Sequence, residues 1–228
     1  MSLYAIGDLH LSLGTNKSMD IFGGRWANYV EKIKKGFEPL NDDDVTVLCG
    51  DITWGMTMDE ALPDFQFIEA LPGSKIVLKG NHDYWWTTAT KARSFFEKNG
   101  IKSIDVLHNS SFEYEGVSIC GTRGWFYEEC KGDEHDKKIM NREVMRLEAS
   151  LKAAKTDDIM VFLHYPPKYM SYECPEILAL LEKYHVRRCC YGHIHGAGCK
   201  YAFGGTISGT EFTIVSADHI NFAPIKLI

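Results

Sequence analysis

A chain of 228 residues suits one large domain, since domains commonly hold on the order of 100–200 residues, and a single domain over 1–228 is expected. Its 45% hydrophobic, 25% charged and 12% aromatic make-up is that of ordinary globular proteins, which excludes disorder, collagen-like repeats and low-complexity tracts as the main character. The formal charge of −6, from 31 acidic and 25 basic side chains, gives no general attraction for nucleic acid or an anionic membrane, while a local basic patch stays open.

No stretch approaches the roughly 18 uninterrupted apolar residues of a membrane span. The first apolar run, Leu3 to Ile6, leads at once into the polar Gly7-Asp8-Leu9-His10, which is unlike a secretory signal. A cytoplasmic location is therefore expected. The cysteines (Cys49, Cys120, Cys130, Cys174, Cys189, Cys190 and Cys199) make an odd set with no C-x-x-C pair, against both a disulfide framework and a thiolate zinc finger. Cys49, Cys120, Cys189 and Cys190 lie in apolar runs, where a free Cys acts as a small hydrophobe.

Along the chain, β-type runs fall at 3–6, 45–49, 75–78, 117–120, 159–163, 188–191, 206–208 and 212–215, bounded by Gly, Asn, Asp or Pro. Between them, Trp26, Tyr29, Val30, Ile33 and Phe37 share one helical face, weakened near its end by Gly36. Ile139, Val144, Leu147 and Leu151 mark a second such stripe, and Ile177, Leu178, Leu181 and Tyr184 a third; all three read as core-facing. Strand and helix alternate over 1–100, as in parallel βαβ units. The close-set runs after 200, with Ser208-Gly209-Thr210 as a turn, predict an antiparallel hairpin. The sheet system is thus α/β and mixed.

The ends of the strands carry the chemistry. Successive runs stop at Asp8-x-His10, Gly50-Asp51, Gly80-Asn81-His82-Asp83, His164 and Gly192-His193-Ile194-His195. In α/β sheets the carboxyl ends of parallel strands open into the binding crevice, so residues this far apart in sequence can meet. Imidazole nitrogen with carboxylate or amide oxygen, and no thiolate, suits Mn, Fe, Zn, Ni or Mg. Asp8, His10, Asp51, Asn81, His164, His193 and His195 exceed one ion's needs. They fit two ions roughly 3.5–4 Å apart, the pair that stabilises attacking and leaving oxygens in phosphoryl transfer.

In this order the motifs resemble those of the calcineurin-like metallophosphoesterases, over residues 8 to 195, with Gly-Asn-His-Asp and Gly-His-x-His the most specific elements. The resemblance implies a four-layer fold in which two mixed sheets pack as a sandwich flanked by helices. It implies that Asp8, His10 and His195 bind one divalent ion, that Asn81, His164 and His193 bind the other, and that Asp51 bridges. The expected activity is hydrolysis of a phosphate mono- or diester by a hydroxide shared between two ions, manganese first among them. It also implies that His82 protonates the leaving group or hydrogen-bonds the phosphate, with Asp83 orienting or charging that imidazole. His108, His135, His185 and His219 lie outside the motifs.

Departures narrow the substrate. The family's protein phosphatases continue the second motif as Gly-Asp-x-x-Asp-Arg-Gly, whereas Gly50-Asp51 is followed here by Ile52-Thr53-Trp54-Gly55, and His164 by Tyr165-Pro166-Pro167. This argues against a protein serine/threonine phosphatase. Trp54, Tyr84, Trp85, Trp86 and Tyr165 crowd the strand exits, either as a wall for a nucleotide base or as packing that shields the site. Arg123, in the 121–136 loop, is the candidate for a fixed phosphate contact. The 16–26 insertion, with Lys17 and Arg25, reads either as a cationic lid or as a plain surface loop.

Two rival readings stand beside a small-molecule phosphoesterase. One is a catalytically silent scaffold, which would be expected to lack ligands or His82. The other is a nuclease, which the net acidity and the mixed charges of 131–155 disfavour.

Overall fold

The computed structural model describes residues 1–126 and 133–228. The predicted runs become strands that alternate their side chains between two faces, and this period of two divides the core. On β1 (Leu3–Ile6), Leu3 and Ala5 face the opposite sheet while Ile6 meets the helices. On β7 (Asp158–Leu163), Met160 and Phe162 point between the sheets and Ile159, Val161 and Leu163 point outward.

The first sheet is built from β1, β2 (Val45–Leu48), β3 (Ser74–Val77) and β4 (Ile104–Val106), all parallel, with β13 (Ile225–Lys226) antiparallel along the outer edge of β1. The second takes the order β11-β12-β10-β7-β6-β5, from β5 (Phe112–Tyr114), β6 (Val117–Thr122), β7, β10 (Arg188–Tyr191), β11 (Gly205–Ile207) and β12 (Thr210–Ile214). Its four inner strands are parallel and its two edges antiparallel. A separate short ribbon pairs β8 (Lys168–Tyr169) with β9 (Tyr172–Glu173).

Helices α1 (Tyr29–Phe37), α2 (Met58–Glu69) and α3 (Ala89–Lys98) pack on the outer face of the first sheet through Ile33, Phe37, Phe65, Ile68 and Phe96. Helices α4 (Glu134–Lys152) and α5 (Pro175–Lys183) cover the second through Leu147, Leu151, Ile177 and Leu181. The result is the expected α/β sandwich of two mixed sheets flanked by helices. Each fully buried aliphatic side chain in these layers contributes roughly 1.5–3 kcal/mol of transfer free energy.

Residues in the sequence account for the boundaries. The side chains of Thr57 and Thr88 accept N–H bonds at the starts of α2 and α3, and Asp133 with Asp136 forms a reciprocal cap on α4. The hairpin between β11 and β12 turns on Ser208 and Gly209, both with positive φ. Gly36 is a packing position, because a Cβ there would lie 2.2 Å from the Phe222 carbonyl oxygen.

Some elements carried no distinctive sequence signal. Helices α2 and α3 and strands β4, β5, β8, β9 and β13 are additions to the sequence reading. The described cysteines, Cys49, Cys120, Cys174, Cys189, Cys190 and Cys199, are buried and free. Cys130, part of the 121–136 loop and the start of the 131–155 stretch lie outside the described residues.

Candidate metal centre

At one edge the sheets meet. Gly7, just past β1, bridges in parallel to Ser216, just past β12, and its N–H donates to the Val215 carbonyl at 2.7 Å. The carboxyl ends of β1, β2, β3, β7 and β10 therefore open together, as the crevice argument requires. The chain must turn sharply there, and Asp8, His10, Asp51 and His193 all adopt positive φ. Non-glycine residues take this conformation at a cost, and it clusters at functional sites. Close approach is built in as well: a Cβ on Gly80 would lie 2.1 Å from Asp51 Oδ1, and one on Gly192 would lie 2.4 Å from Asp8 Oδ2.

Two groups of donors converge. Asp8, His10 and His195 offer atoms within 4.8 Å of one another, and so do Asp51, His164 and His193. The groups touch each other: His10 Nε2 is 3.7 Å and His164 Nε2 is 3.5 Å from Asp51 Oδ2. Asn81 Oδ1 stands 2.6 Å from His164 Nε2. The seven residues thus lie together at one edge of the sheets, with Asp51 of the second group facing His10 of the first.

The surrounding hydrogen bonds leave lone pairs turned inward. His195 Nδ1 donates to Asp218 Oδ1 at 2.9 Å, and His164 Nδ1 donates to the Cys49 carbonyl at 3.1 Å. For His164 this bond favours the tautomer in which Nε2 is an acceptor, and for His195 it turns Nε2 inward. His164 Nε2 then faces an amide oxygen, and His195 Nε2 lies 3.3 Å from His10 Nε2. An acceptor set against an acceptor at His164 and Asn81, with further imidazoles and two buried carboxylates beside them, is a donor set that suits a divalent cation. His10 is held by aromatic rings, stacked on Trp54 at 5.0 Å and edge-on to Trp26 at 5.9 Å.

Burial and neighbouring charges shift the groups of the centre in both directions. Burial, and then the nearby Asp83 and Asp8 carboxylates, push Asp51 well above the usual carboxylate range. Burial and the neighbouring imidazoles hold His10 well below its ordinary value and bring His193 to about 3. Burial also lowers His164. Against burial, the Asp8 and Asp218 carboxylates raise His195 to about 10, while His195, His164 and His10 hold Asp8 low. Positive charge at the centre would offset the crowding of these acids.

His82 lines the cavity of about 630 Å³ over this centre, together with His10, Asp51, His193, His195 and Phe126. Its ring packs 4.5 Å from Trp54, and its backbone N–H donates to Asp51 Oδ1 at 2.7 Å. The charge of Asp83 favours protonation of the His82 imidazole, against the burial that lowers it, but its hydrogen bonds go elsewhere. Its buried carboxylate accepts from the backbone N–H groups of Asp51, Ile52, Thr53 and Gly80 and from Trp85 Nε1, at 2.7–3.4 Å, rather than from the His82 ring. It positions the Asp51 turn. Arg123 lines a different cavity, where its guanidinium meets Glu143 at 3.4 Å and lies over Trp125 at 4.9 Å.

The aromatic exits divide. Trp85 and Trp86 are core residues, Trp85 packing on Phe65 and Phe96, whereas Trp54 and Tyr165 pack on the site imidazoles and Tyr84 is half exposed. The 16–26 segment forms two short 3-10 turns. Within it, Trp26 packs on His195, Arg25 donates to the Asp218 carbonyl at 3.0 Å, and Lys17 lies 5.9 Å over the Trp54 ring. Asp218 itself escaped the sequence reading. Its signal was a sixth strand exit, the Ser216-Ala217-Asp218 that follows β12.

The sequence pattern of the calcineurin-like phosphoesterase family matches residues 1–197, and the chain belongs to that family. No curated protein matches it. Among solved structures it is similar to the phosphopantetheinyl hydrolase PptH of Mycobacterium tuberculosis, at 14% identity and a TM-score of 0.60 over 100% of this chain and 95% of that one. It is also similar to AQ665 of Aquifex aeolicus, a protein of unknown function, at 18% identity and a TM-score of 0.52 over 99% and 95%. TT1561 of Thermus thermophilus matches at 14% identity and a TM-score of 0.51 over 85% and 81%. At these identities the likeness is one of fold. No described helix is long and apolar enough to cross a membrane.

Proposed function

We propose that this chain is a metal-dependent phosphoesterase that hydrolyses a phosphate mono- or diester of a small molecule at a dinuclear centre. The observation that carries the reading is a pair of adjoining donor triads, the Asp51 of one lying 3.7 Å from the His10 of the other. Asp8, His10 and His195 would hold one cation, Asn81, His164 and His193 the other, and Asp51 both. Manganese is our first choice, with Fe, Zn, Ni or Mg as alternatives of the same donor chemistry. Such a pair, when bound, supplies a nucleophile at neutral pH and neutralises phosphoryl oxygens.

The chain's own residues do the rest. Asp218 and the Cys49 carbonyl keep the imidazole lone pairs aimed inward. Asp83 holds the Asp51 turn through its backbone N–H bonds. His82, beside the centre and facing the cavity, supplies a proton or hydrogen bond to the departing oxygen. Phe126, Tyr172 and Trp54 give the neighbourhood an aromatic surface, which suits a ring-bearing ester such as a nucleotide. A similar structure named a hydrolase agrees with hydrolytic use of this fold.

The test is colour release from p-nitrophenyl phosphate and bis-p-nitrophenyl phosphate by manganese-loaded protein, beside Asp51→Asn. Turnover by the wild type, with metal content and activity both lost in the variant, is expected. No turnover with either ester would favour the scaffold reading. Two ions per chain and normal activity in Asp51→Asn would remove Asp51 from the centre.

A further inference from the structure

A second cavity, of about 490 Å³, has no described lining residue in common with the metal cavity. Its charged lining is Lys79 after β3, Arg123 after β6, and Arg142, Glu143 and Arg146 on α4. Among the described residues, four cations against one carboxylate leave an excess of three positive charges, in a chain whose net charge is −6.

The geometry shows that these cations are arranged and not merely near one another. Glu143 is completely buried and accepts from Thr122 Oγ1 at 2.7 Å, from Arg146 at 2.6 Å and from Arg123 at 3.4 Å. It steadies two guanidiniums at once. Arg142 and Arg146 are four residues apart on α4, so the helix places like charges on one face, an arrangement that costs stability when nothing answers it. Neither Lys79 nor Arg142 has a carboxylate partner among the described residues. The Arg123 Nε is buried and has no hydrogen-bond partner among them. Burial, and then the nearby Arg146 guanidinium, hold His108 in the same cavity below its ordinary value.

We infer that this cavity is an anion site for a phosphoryl group other than the one at the metal centre. Guanidinium forks with a lysine beside them are the side chains that recognise phosphate oxygens. The phosphoryl group has two sources of the same chemistry: a second phosphate on the substrate, or a free phosphorylated effector. Either would sit against the metal-facing loops, because Lys79 leads into Gly80-Asn81 and the Arg123 carbonyl accepts the N–H groups of His164 and Tyr165 at 3.2 and 2.9 Å. No residue of this lining belongs to the donor groups of the metal centre, so the site stands or falls separately from the hydrolytic reading.

Calorimetric titration of inorganic phosphate into manganese-loaded wild type, Asp51→Asn and Arg142→Glu tests it. Two binding events are expected in the wild type, with the cavity event surviving in Asp51→Asn. In Arg142→Glu that event should weaken by about tenfold or more. Arg142 is exposed, so the variant should fold, and the milder Arg142→Gln should fall between it and the wild type. Absence of phosphate binding in folded Asp51→Asn, or wild-type affinity in both Arg142 variants, overturns the site.

Kinetics then identify whose phosphate it holds. If it belongs to the substrate, Arg142→Glu raises KM for a bisphosphorylated ester far more than for p-nitrophenyl phosphate. If it is an effector, added phosphate changes wild-type turnover beyond the product inhibition that Arg142→Glu retains. Wild-type protein that binds phosphate in the cavity but releases no colour would refute the phosphoesterase and leave the anion site standing.

Discussion

Two adjacent residues, His82 and Asp83, part company in space. The imidazole faces the cavity and the carboxylate faces the backbone of the Asp51 turn. His82→Ala should therefore cut turnover by roughly a hundredfold or more while elemental analysis finds the metal content unchanged; normal turnover would remove His82 from the reaction. Asp83→Ala strands several buried N–H groups and should cost about 3–5 kcal/mol in urea unfolding. It should also lose metal, because Asp51 is no longer held. A stable, metal-replete Asp83→Ala would show that other bonds keep the turn. The sequence showed that these residues are neighbours but not the directions of their side chains. Adjacency was legible, and role was not.

Elements carry the lesson further. The exits of β1, β2, β3, β7 and β10 were readable because short apolar runs ending in polar motifs have few other meanings, and the parallel sheets bring them together. Asp218 was not readable, since a single carboxylate after a hairpin strand looks like any surface acid until β12 is seen to lie beside β10. Helix α2 gave little periodicity, with Pro63 inside it and a buried Asp64 on its inner face. That aspartate ties the helix to the site loops by accepting from Leu13 N–H at 2.7 Å and from Thr53 Oγ1.

Burial raises Asp64 to about 6 from an ordinary 3.8. A carboxyl with a raised folded pKa favours the native state most when protonated, below pH 3.8, and that contribution is lost as pH rises through about 6. The loss is on the order of 3 kcal/mol. Thermal midpoints measured from pH 4 to 7 should fall more steeply for the wild type than for Asp64→Asn; parallel curves would show that Asp64 titrates normally.

For the whole molecule, the cost of turning the chain at the exits of β1, β2 and β10 sits beside a set of crowded donors, and a bound cation should offset both. Chelation should lower the melting temperature. At free metal a hundredfold above the dissociation constant, the stabilisation is about 2.7 kcal/mol per ion, so manganese titration followed by scanning calorimetry should raise the midpoint progressively. A midpoint indifferent to manganese and chelator would sink the dinuclear proposal. The −6 charge, which discourages polyanions in general, is compatible with a concentrated basic pocket only because composition averages over the surface and α4 does not.

The edge where Gly7 joins Ser216 also orders events in time. Asp8 is synthesised long before the groups that orient its turn and its partner His195, the Val215 carbonyl and Asp218, and β13 must then zip onto β1. The nascent polypeptide therefore cannot hold its ions as the folded protein does. A bound cation would therefore meet its full set of held ligands only after β12 and Asp218 have been made.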